Sequence, residues 1–277
     1  MSRGRTGPAG PATPADLSLV SAHRGGAGRD VARENTLEAL RDAARFPCEY
    51  VEFDVQRCAD GVYVVHHDRH VRSGDRRVPI SSLTFGEFTR HAGSYLLLDD
   101  ALNELRGRKK AHLDCKLVYD TGHGGALPAG SDVLLVRHVV HRMGAENVVV
   151  TGLSDAAVRA VRAWSREHCP ELRVGLSLSR DVGVRGLVKL VTGRLDEVLP
   201  GRRLRASDAN LAVCKRTQAR LWGARWARRY GLPLLVWTVD DPDQLRAWLR
   251  DERAWMVTTN FPLRAVELRR ELAATGA

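Results

Sequence analysis

Residues 17–46 read LSLVSAHRGGAGRDVARENTLEALRDAARF, and the pattern inside this stretch recurs along the chain. A short apolar run (17–23) is followed by a glycine-rich turn and then by the apolar spacing of an amphipathic helix (34–46). Further β-rich apolar runs occupy residues 50–55, 111–116, 147–152, 173–178, 209–214, 232–239 and 254–259. Helix-like stretches between them include residues 131–143, 154–168 and 218–230. Eight βα-like units in 277 residues predict an α/β protein with a (β/α)₈ TIM barrel, and an open doubly wound sheet is the alternative.

The stretch from about residue 57 to residue 100 departs from this alternation. Asp60-Gly61 is a tight-turn dipeptide followed by β-branched residues, which predicts a hairpin after the second strand. The sequence TFGEFTRHA (84–92) predicts a small helix. Because no second core is indicated, we predict a single domain over residues 17–270 with a small insertion after strand two. Residues 1–16 are rich in Pro, Gly and Ala and predict a flexible tail.

Composition bounds the class of protein and its surroundings. Apolar residues make up 44% and charged residues 27%, as in soluble globular proteins, and no apolar stretch approaches the roughly 20 residues of a membrane span. We therefore expect no stable membrane insertion. The five cysteines are odd in number and widely spaced, with no C-x-x-C pair, which favours a reducing compartment. With no signal-like apolar segment at the start, the cytoplasm is the expected location.

The formal net charge of +10 favours anionic partners. No nucleic-acid motif accompanies the arginines, so we interpret them as solvated helix faces and expect no nucleic-acid partner. A small-molecule substrate fits the charge equally well. The oligomeric state is not indicated.

Polar side chains gather at the predicted strand ends, which is where a TIM barrel carries its active site. His23 ends the first strand, and Glu52 and Asp54 lie two residues apart near the end of the second, so both face the same side. Asp114 and Lys116 end the third strand. Three carboxylates from two strands suit a hard divalent cation, which offsets their mutual repulsion. Each residue alone has a plainer interpretation, such as a surface ion pair, and only their common position at one rim indicates a site.

The ordered set AHRG…ENTLEAL, YVEFDVQRCADGVYVVHHD and LDCK, followed by VWTVDD and VTTNFP, resembles the glycerophosphodiester phosphodiesterase family. The resemblance runs from about residue 18 to residue 265. It implies a TIM barrel with a small insertion after strand two. It also implies hydrolysis of glycerophosphodiesters to sn-glycerol 3-phosphate and an alcohol, with one divalent cation, Mg²⁺ or Ca²⁺, as cofactor.

The resemblance also implies roles for individual residues. They are Glu52, Asp54 and Asp114 as metal ligands, His23 and His67 as catalytic histidines, and Arg24, Lys116 and Trp237 as substrate-binding residues. Of the adjacent histidines, His67 is the better match because Asp68 follows it, and strand alternation turns His66 to the opposite face. One histidine would remove a proton from water or from the glycerol 2-hydroxyl, and the other would protonate the departing alkoxide.

Some positions depart from the family pattern. Asp114 stands where the family usually has Glu, and VRSG (71–74) and LLLDD (96–100) replace segments that usually read differently. Headgroup preference is therefore expected to differ. Two other functions stay open at this point, a phospholipase D-like lyase of the sphingomyelinase D type and a non-catalytic phosphate-binding barrel.

Overall fold

The computed structural model describes residues 17–117, 130–152, 154–179 and 199–275, so the predicted tail at 1–16 lies outside the described residues. The strands are β1 Leu19–Ala22, β2 Tyr50–Arg57, β3 Tyr63–Val65, β4 His70–Ser73, β5 Arg76–Pro79, β6 Lys110–Cys115, β7 Val148–Gly152, β8 Arg173–Ser177, β9 Leu211–Lys215, β10 Leu234–Trp237 and β11 Ala254–Thr259. Within these ranges β1, β2 and β6 to β11 are parallel and pair in sequence around a ring.

The ring closes through β1. Its residues pair with β11, where Leu19 is opposite Met256, and with β2, where Ser21 is opposite Tyr50. A closed ring of parallel strands excludes the open doubly wound sheet, and the TIM-barrel prediction is confirmed.

Helices follow the barrel strands. They are α1 Leu37–Ala43, α2 Phe85–Ala92, α3 Leu98–Leu105, α4 Ser131–Met143, α5 Asp155–His168, α6 Gly201–Ser207, α7 Arg216–Gln218, α8 Ala224–Arg229, α9 Pro242–Arg250 and α10 Pro262–Thr275, with a π-helical turn at Ala219–Gly223 joining α7 to α8. The helix predicted from residue 34 begins later, because Thr36 is its N-cap and accepts a hydrogen bond from the Ala39 amide. Asn35, just before the N-cap, has a left-handed φ of 59°, so this residue cannot be part of a right-handed helix. None of the described helices combines the length and the apolar character needed to cross a membrane.

The core has two layers, as strand alternation requires. Side chains such as Val51, Phe53 and Leu113 point outward and pack under the helices. Inside the barrel, an apolar cluster fills the lower part, formed by Tyr50, Val149, Leu211, Val213, Leu235 and Met256. This plug leaves polar side chains at the carboxyl ends of the strands as the lining of the open end.

The insertion is a small layer with its own apolar contacts. β3 runs antiparallel to the end of β2, with Val65 opposite Val55, and β4 and β5 form a separate hairpin. Helix α2 begins with a capping box between Thr84 and Glu87. Beneath it lies a cluster of Cys58, Val64, Val71, Ile80, Leu83 and Phe88. The insertion thus builds one side of the barrel rim.

Candidate active site

A cavity of about 270 Å³ opens at the carboxyl end of the barrel. The sequence-predicted residues His23, Arg24, Glu52, Asp54, His67, Asp114, Lys116 and Trp237 all line it. They come from loops and strand ends that are far apart in sequence. Barrel closure therefore brings every one of these residues to a single site.

Three carboxylates form one wall of the cavity, and we call Glu52, Asp54 and Asp114 the acidic cluster. Glu52 and Asp54 project from β2, and Asp114 is the register partner of Asp54 on β6. One carboxylate oxygen from each lies within 4.8 Å of the others. Glu52 and Asp54 are buried. Burial, followed by repulsion from Asp54 and Asp114, raises the pKa of Glu52 well above its ordinary value.

Two basic side chains hold the acidic cluster together. The Lys116 Nζ lies 3.2 Å from Asp54 Oδ1 and 2.5 Å from Asp114 Oδ2. Arg24 Nε lies 3.1 Å from Asp54 Oδ2, and its guanidinium also pairs with Glu34 at 2.5 Å. Burial opposes ionisation of Asp54, but Lys116 and Arg24 outweigh it and lower the pKa of Asp54. The positive charges of Arg24 and Lys116 thus partly neutralise the carboxylates.

The acidic cluster has the chemistry that a hard divalent cation requires. Mg²⁺ and Ca²⁺ take oxygen ligands, and the cluster offers three carboxylates at close range. Asn35 supports one of them, since its Nδ2 donates to Asp54 Oδ2 at 2.9 Å. Burial first, and repulsion from the other two carboxylates second, raise the pKa of Glu52, so full ionisation of the cluster calls for added positive charge. A divalent cation would supply that charge, so the residues fit one.

A sharp turn sets the position of His23. Residues His23–Gly25 form one 3₁₀ turn in which Arg24 has φ 48° and Gly25 has φ 83°. A Cβ on Gly25 would lie 2.8 Å from the Cβ of Ala39 on α1. Only glycine therefore fits this position, and the turn aims the Arg24 amide at Glu52 Oε2, at 2.8 Å.

A relay of hydrogen bonds from the end of the chain fixes the His23 ring. Its Nδ1 lies 2.7 Å from Asn260 Oδ1. Asp240 accepts hydrogen bonds from both the backbone amide and the Nδ2 of Asn260, at 2.8 Å each. Since Nδ2 donates to Asp240, Oδ1 faces His23 as an acceptor and the Nδ1–H must donate. Burial, followed by the Arg24 charge, lowers the pKa of His23.

The two adjacent histidines face different neighbours. His67 lines the cavity, and its Nδ1 lies 2.9 Å from Asp68 Oδ1. His66 instead packs edge-on against Phe88 of the insertion, with ring centroids 5.7 Å apart. Alternation along β3 and its extension accounts for the difference.

A further histidine lies below the acidic cluster. His112 is buried on β6, with Nδ1 3.1 Å from Ser21 Oγ and Nε2 3.3 Å from Thr151 Oγ1. Burial lowers the pKa of His112 to about 4, against partial opposition from Asp114. Its ring is therefore a neutral hydrogen-bonded floor of the site.

The wall opposite the acidic cluster has a different character. Lys215 ends β9, and its ammonium lies 5.5 Å from the centroid of the Trp237 ring on β10. Ser177 Oγ, Trp237 Nε1 and Thr258 Oγ1 are buried there without a hydrogen-bond partner in the described part of the chain. We call this the donor wall.

Sequence reasoning missed Asn260, Asp240 and Lys215 as site residues. All three sit at or just after strand ends, the same signal that identified His23. Asp240 and Asn260 even lie within the VWTVDD and VTTNFP segments.

The fold and the rim together define a TIM-barrel protein with an acidic, histidine-flanked centre suited to phosphate chemistry. A family model supports this class directly. The model described as the glycerophosphoryl diester phosphodiesterase family matches residues 23–173, and the chain belongs to that family.

Solved structures share the fold of this chain. A glycerophosphodiester phosphodiesterase from Parabacteroides distasonis superposes with a TM-score of 0.68 at 20% identity, covering 95% of this chain and 99% of that one. A phosphodiesterase of Oleispira antarctica, solved with the product sn-glycerol-3-phosphate, gives 0.64 at 16% identity, covering 93% and 99%. At these identities the likeness shows the fold.

Glycerophosphodiester phosphodiesterase 1 of Bos taurus is 38% identical over 94 residues, which is 33% of this chain and 28% of the bovine protein. Lysophospholipase D of Mus musculus is 37% identical over 78 residues, 28% of this chain and 23% of the mouse protein. The chain thus matches well under a third of the length of these curated relatives.

Proposed function

We propose that this protein is a phosphoric diester hydrolase that converts glycerophosphodiesters to sn-glycerol 3-phosphate and an alcohol. The observation that carries the proposal is the acidic cluster flanked by His23 and His67 in one cavity. Family membership supports it, as does the sn-glycerol-3-phosphate bound to the Oleispira antarctica phosphodiesterase.

The acidic cluster would hold one divalent cation, Mg²⁺ or Ca²⁺. Such a cation supplies Lewis-acid stabilisation of charge on a phosphate oxygen. Arg24 and Lys116 line the same cavity and present fixed positive charge beside the cluster, so they would orient the phosphodiester. Asn35 and the Arg24 amide keep the carboxylates in place.

The hydrogen bonds of the two histidines support distinct roles. Because Asn260 holds the Nδ1–H of His23, the Nε2 lone pair is free and lies on the cavity side, 3.9 Å from Glu52 Oε2. His23 is therefore the general base that takes a proton from the attacking hydroxyl. His67 is the general acid, since the Asp68 carboxylate 2.9 Å from its Nδ1 orients the ring towards the departing alkoxide that it would protonate.

A hydrolysis assay tests the proposal, with the adjacent residues His67 and His66 as a matched pair of catalytic and control positions. Glycerophosphocholine and glycerophosphoglycerol are offered with Mg²⁺, with Ca²⁺ and with a chelator. We expect His23→Ala and His67→Ala each to lose at least about 10²-fold in kcat, while His66→Ala stays within about twofold of the wild type.

Chelation should abolish turnover, and the cation that restores it identifies the cofactor. Hydrolysis that survives both the chelator and His23→Ala would overturn the proposal. Turnover of sphingomyelin in place of the glycerophosphodiesters would support the lyase alternative instead.

A further inference from the structure

We infer that Lys215 makes the site selective for glycerophosphodiesters whose alcohol part carries an anionic group, and that it disfavours a quaternary ammonium. The inference rests on the proposed function and names the substrate class. Its basis is the placement of one cation on the donor wall, opposite the acidic cluster.

The barrel register fixes Lys215 at the mouth of the cavity. It is the last residue of β9, two positions after the inward-facing Val213, so alternation turns its side chain into the barrel. Its Cα partner on β10 is Trp237, and both residues line the cavity. Lys215 is exposed, so a ligand can reach its ammonium.

Within the described residues, no carboxylate neutralises the charge of Lys215. Arg24 and Lys116, the other two Lys or Arg side chains of the described lining, both contact carboxylates of the acidic cluster. Lys215 forms no ion pair in the ranges that the structure describes, and its ammonium lies over the Trp237 ring. A solvent-facing cation of this kind can attract an anionic group of a ligand.

The same contact argues against a choline headgroup. Quaternary ammonium groups are recognised by the faces of aromatic rings. Trp237 is the single Trp, Tyr or Phe among the described lining residues, and the Lys215 ammonium lies over its face. A trimethylammonium group brought to that ring would meet a like charge instead of an open π-surface.

The rest of the donor wall is polar as well. The Trp237 Nε1–H is a donor only, and it is buried without a partner in the described chain. Ser177 Oγ, on the same wall, is likewise buried without a hydrogen-bond partner in the described chain. Phosphate and carboxylate oxygens pair with the Lys215 ammonium, whereas the trimethylammonium group of a choline headgroup accepts no hydrogen bond.

Three substrates that share the glycerophosphate half but differ in headgroup charge test the inference. They are glycerophosphocholine, glycerophosphoglycerol, and glycerophosphoglycerol with a terminal phosphate. For the wild type we expect kcat/KM to rise in that order. Lys215→Gln should lose about tenfold on the phosphorylated substrate and little on glycerophosphocholine, and Lys215→Glu should reverse the order.

Lys110→Gln is the matched control. Its ammonium also lies over an aromatic ring, 5.7 Å from the Tyr50 centroid, but at the opposite end of the barrel, so its removal should leave the order unchanged. An equal loss on all three substrates in Lys215→Gln, or an unaltered order in Lys215→Glu, would overturn the inference.

Calorimetric binding of the same three ligands to the wild type and Lys215→Gln in a chelator, where turnover should be abolished, provides a readout apart from hydrolysis. If the wild type hydrolyses none of the three, the proposed function fails. If the wild type hydrolyses them and the binding order does not depend on Lys215, the inference alone fails.

Discussion

His23 and Asn260 are 237 residues apart in the chain, yet the Nδ1 of one lies 2.7 Å from the Oδ1 of the other. Closure of the barrel between β1 and β11 makes the contact possible. Asp240 fixes the Asn260 amide and, through it, the tautomer of His23. The chemistry of the first strand end thus depends on groups that follow the last two strands.

We expect Asn260→Ala to lower kcat by about 10- to 100-fold with a smaller change in KM, because the His23 ring loses the acceptor that orients it. The ¹⁵N shifts of the His23 ring should also report a mixture of tautomers. Asn147→Ala removes an asparagine near the start of β7 and should leave kcat unchanged. Unaltered kcat and ring shifts in Asn260→Ala would show that the contact does not position His23.

Replacing Glu52 should affect stability and activity in opposite directions. The raised pKa of Glu52 means that its charge is unfavourable in the metal-free protein. Glu52→Gln keeps an oxygen for the Arg24 amide and removes that charge, so Tm in a chelator should rise by about 3 °C or more while kcat falls at least about 10²-fold. Added Mg²⁺ or Ca²⁺ should raise the Tm of the wild type but not the Tm of Glu52→Gln.

Glu49→Gln is the control for this comparison. Glu49 accepts two hydrogen bonds from Arg269, at 2.7 and 2.9 Å, so the variant should show an unchanged or lower Tm. A fall in the metal-free Tm of Glu52→Gln would contradict the electrostatic argument.

Local patterns carried most of the fold and much of the site. Period-two alternation gives the facing direction of Glu52 and Asp54 directly, and a strand end is readable at His23 from the glycines that follow it. These features depend on a few consecutive residues. The rim position of the three carboxylates is predictable for the same reason, whereas the predicted roles of His23 and His67 rest on the resemblance to the family.

Other contacts depend on barrel closure and register, which no short window contains. Lys215 meets Trp237 because β9 and β10 pair in one register, and a shift by one residue would turn Lys215 outward. Asp240 reaches Asn260 across a complete βα unit. The same holds for Arg203, a fully buried side chain on α6 that pairs with Asp155 on α5. Such pairings follow from the folded topology.

His112 should make stability fall as the pH drops. The pKa of His112 is about 4 in the folded protein and 6.5 ordinarily. Between pH 4 and pH 6.5, His112 is therefore protonated in the unfolded chain but neutral in the folded protein. The contribution is complete above pH 6.5 and is lost towards pH 4. The total corresponds to about 3 kcal/mol. Urea midpoints between pH 4.5 and 7 measure it.

His112→Asn should flatten that dependence, because the new side chain does not titrate and can still bond to Ser21 or Thr151. His91→Asn, an exposed change on α2, should retain the wild-type slope. Equal slopes in His112→Asn and the wild type would assign the acid sensitivity to other groups.

The glycine after Arg24 offers a comparison of crowding with backbone strain. Gly25 and Gly107 have φ values of 83° and 73°, so an alanine at either position costs roughly 1–2 kcal/mol. At Gly25 the new Cβ would also approach Ala39, whereas nothing lies within 4 Å at Gly107. Gly25→Ala should therefore lower Tm by several degrees more than Gly107→Ala.

Gly25→Ala should also reduce kcat, since relief of the crowding shifts the turn that carries His23 and aims the Arg24 amide at Glu52. Gly107→Ala should retain full kcat because it lies in the turn between α3 and the start of β6, at the end of the barrel away from the site. Thermal unfolding and kcat measured on both variants decide the point: equal losses of Tm with unchanged kcat would mean that α1 yields to the methyl group and that the turn does not depend on glycine at this position.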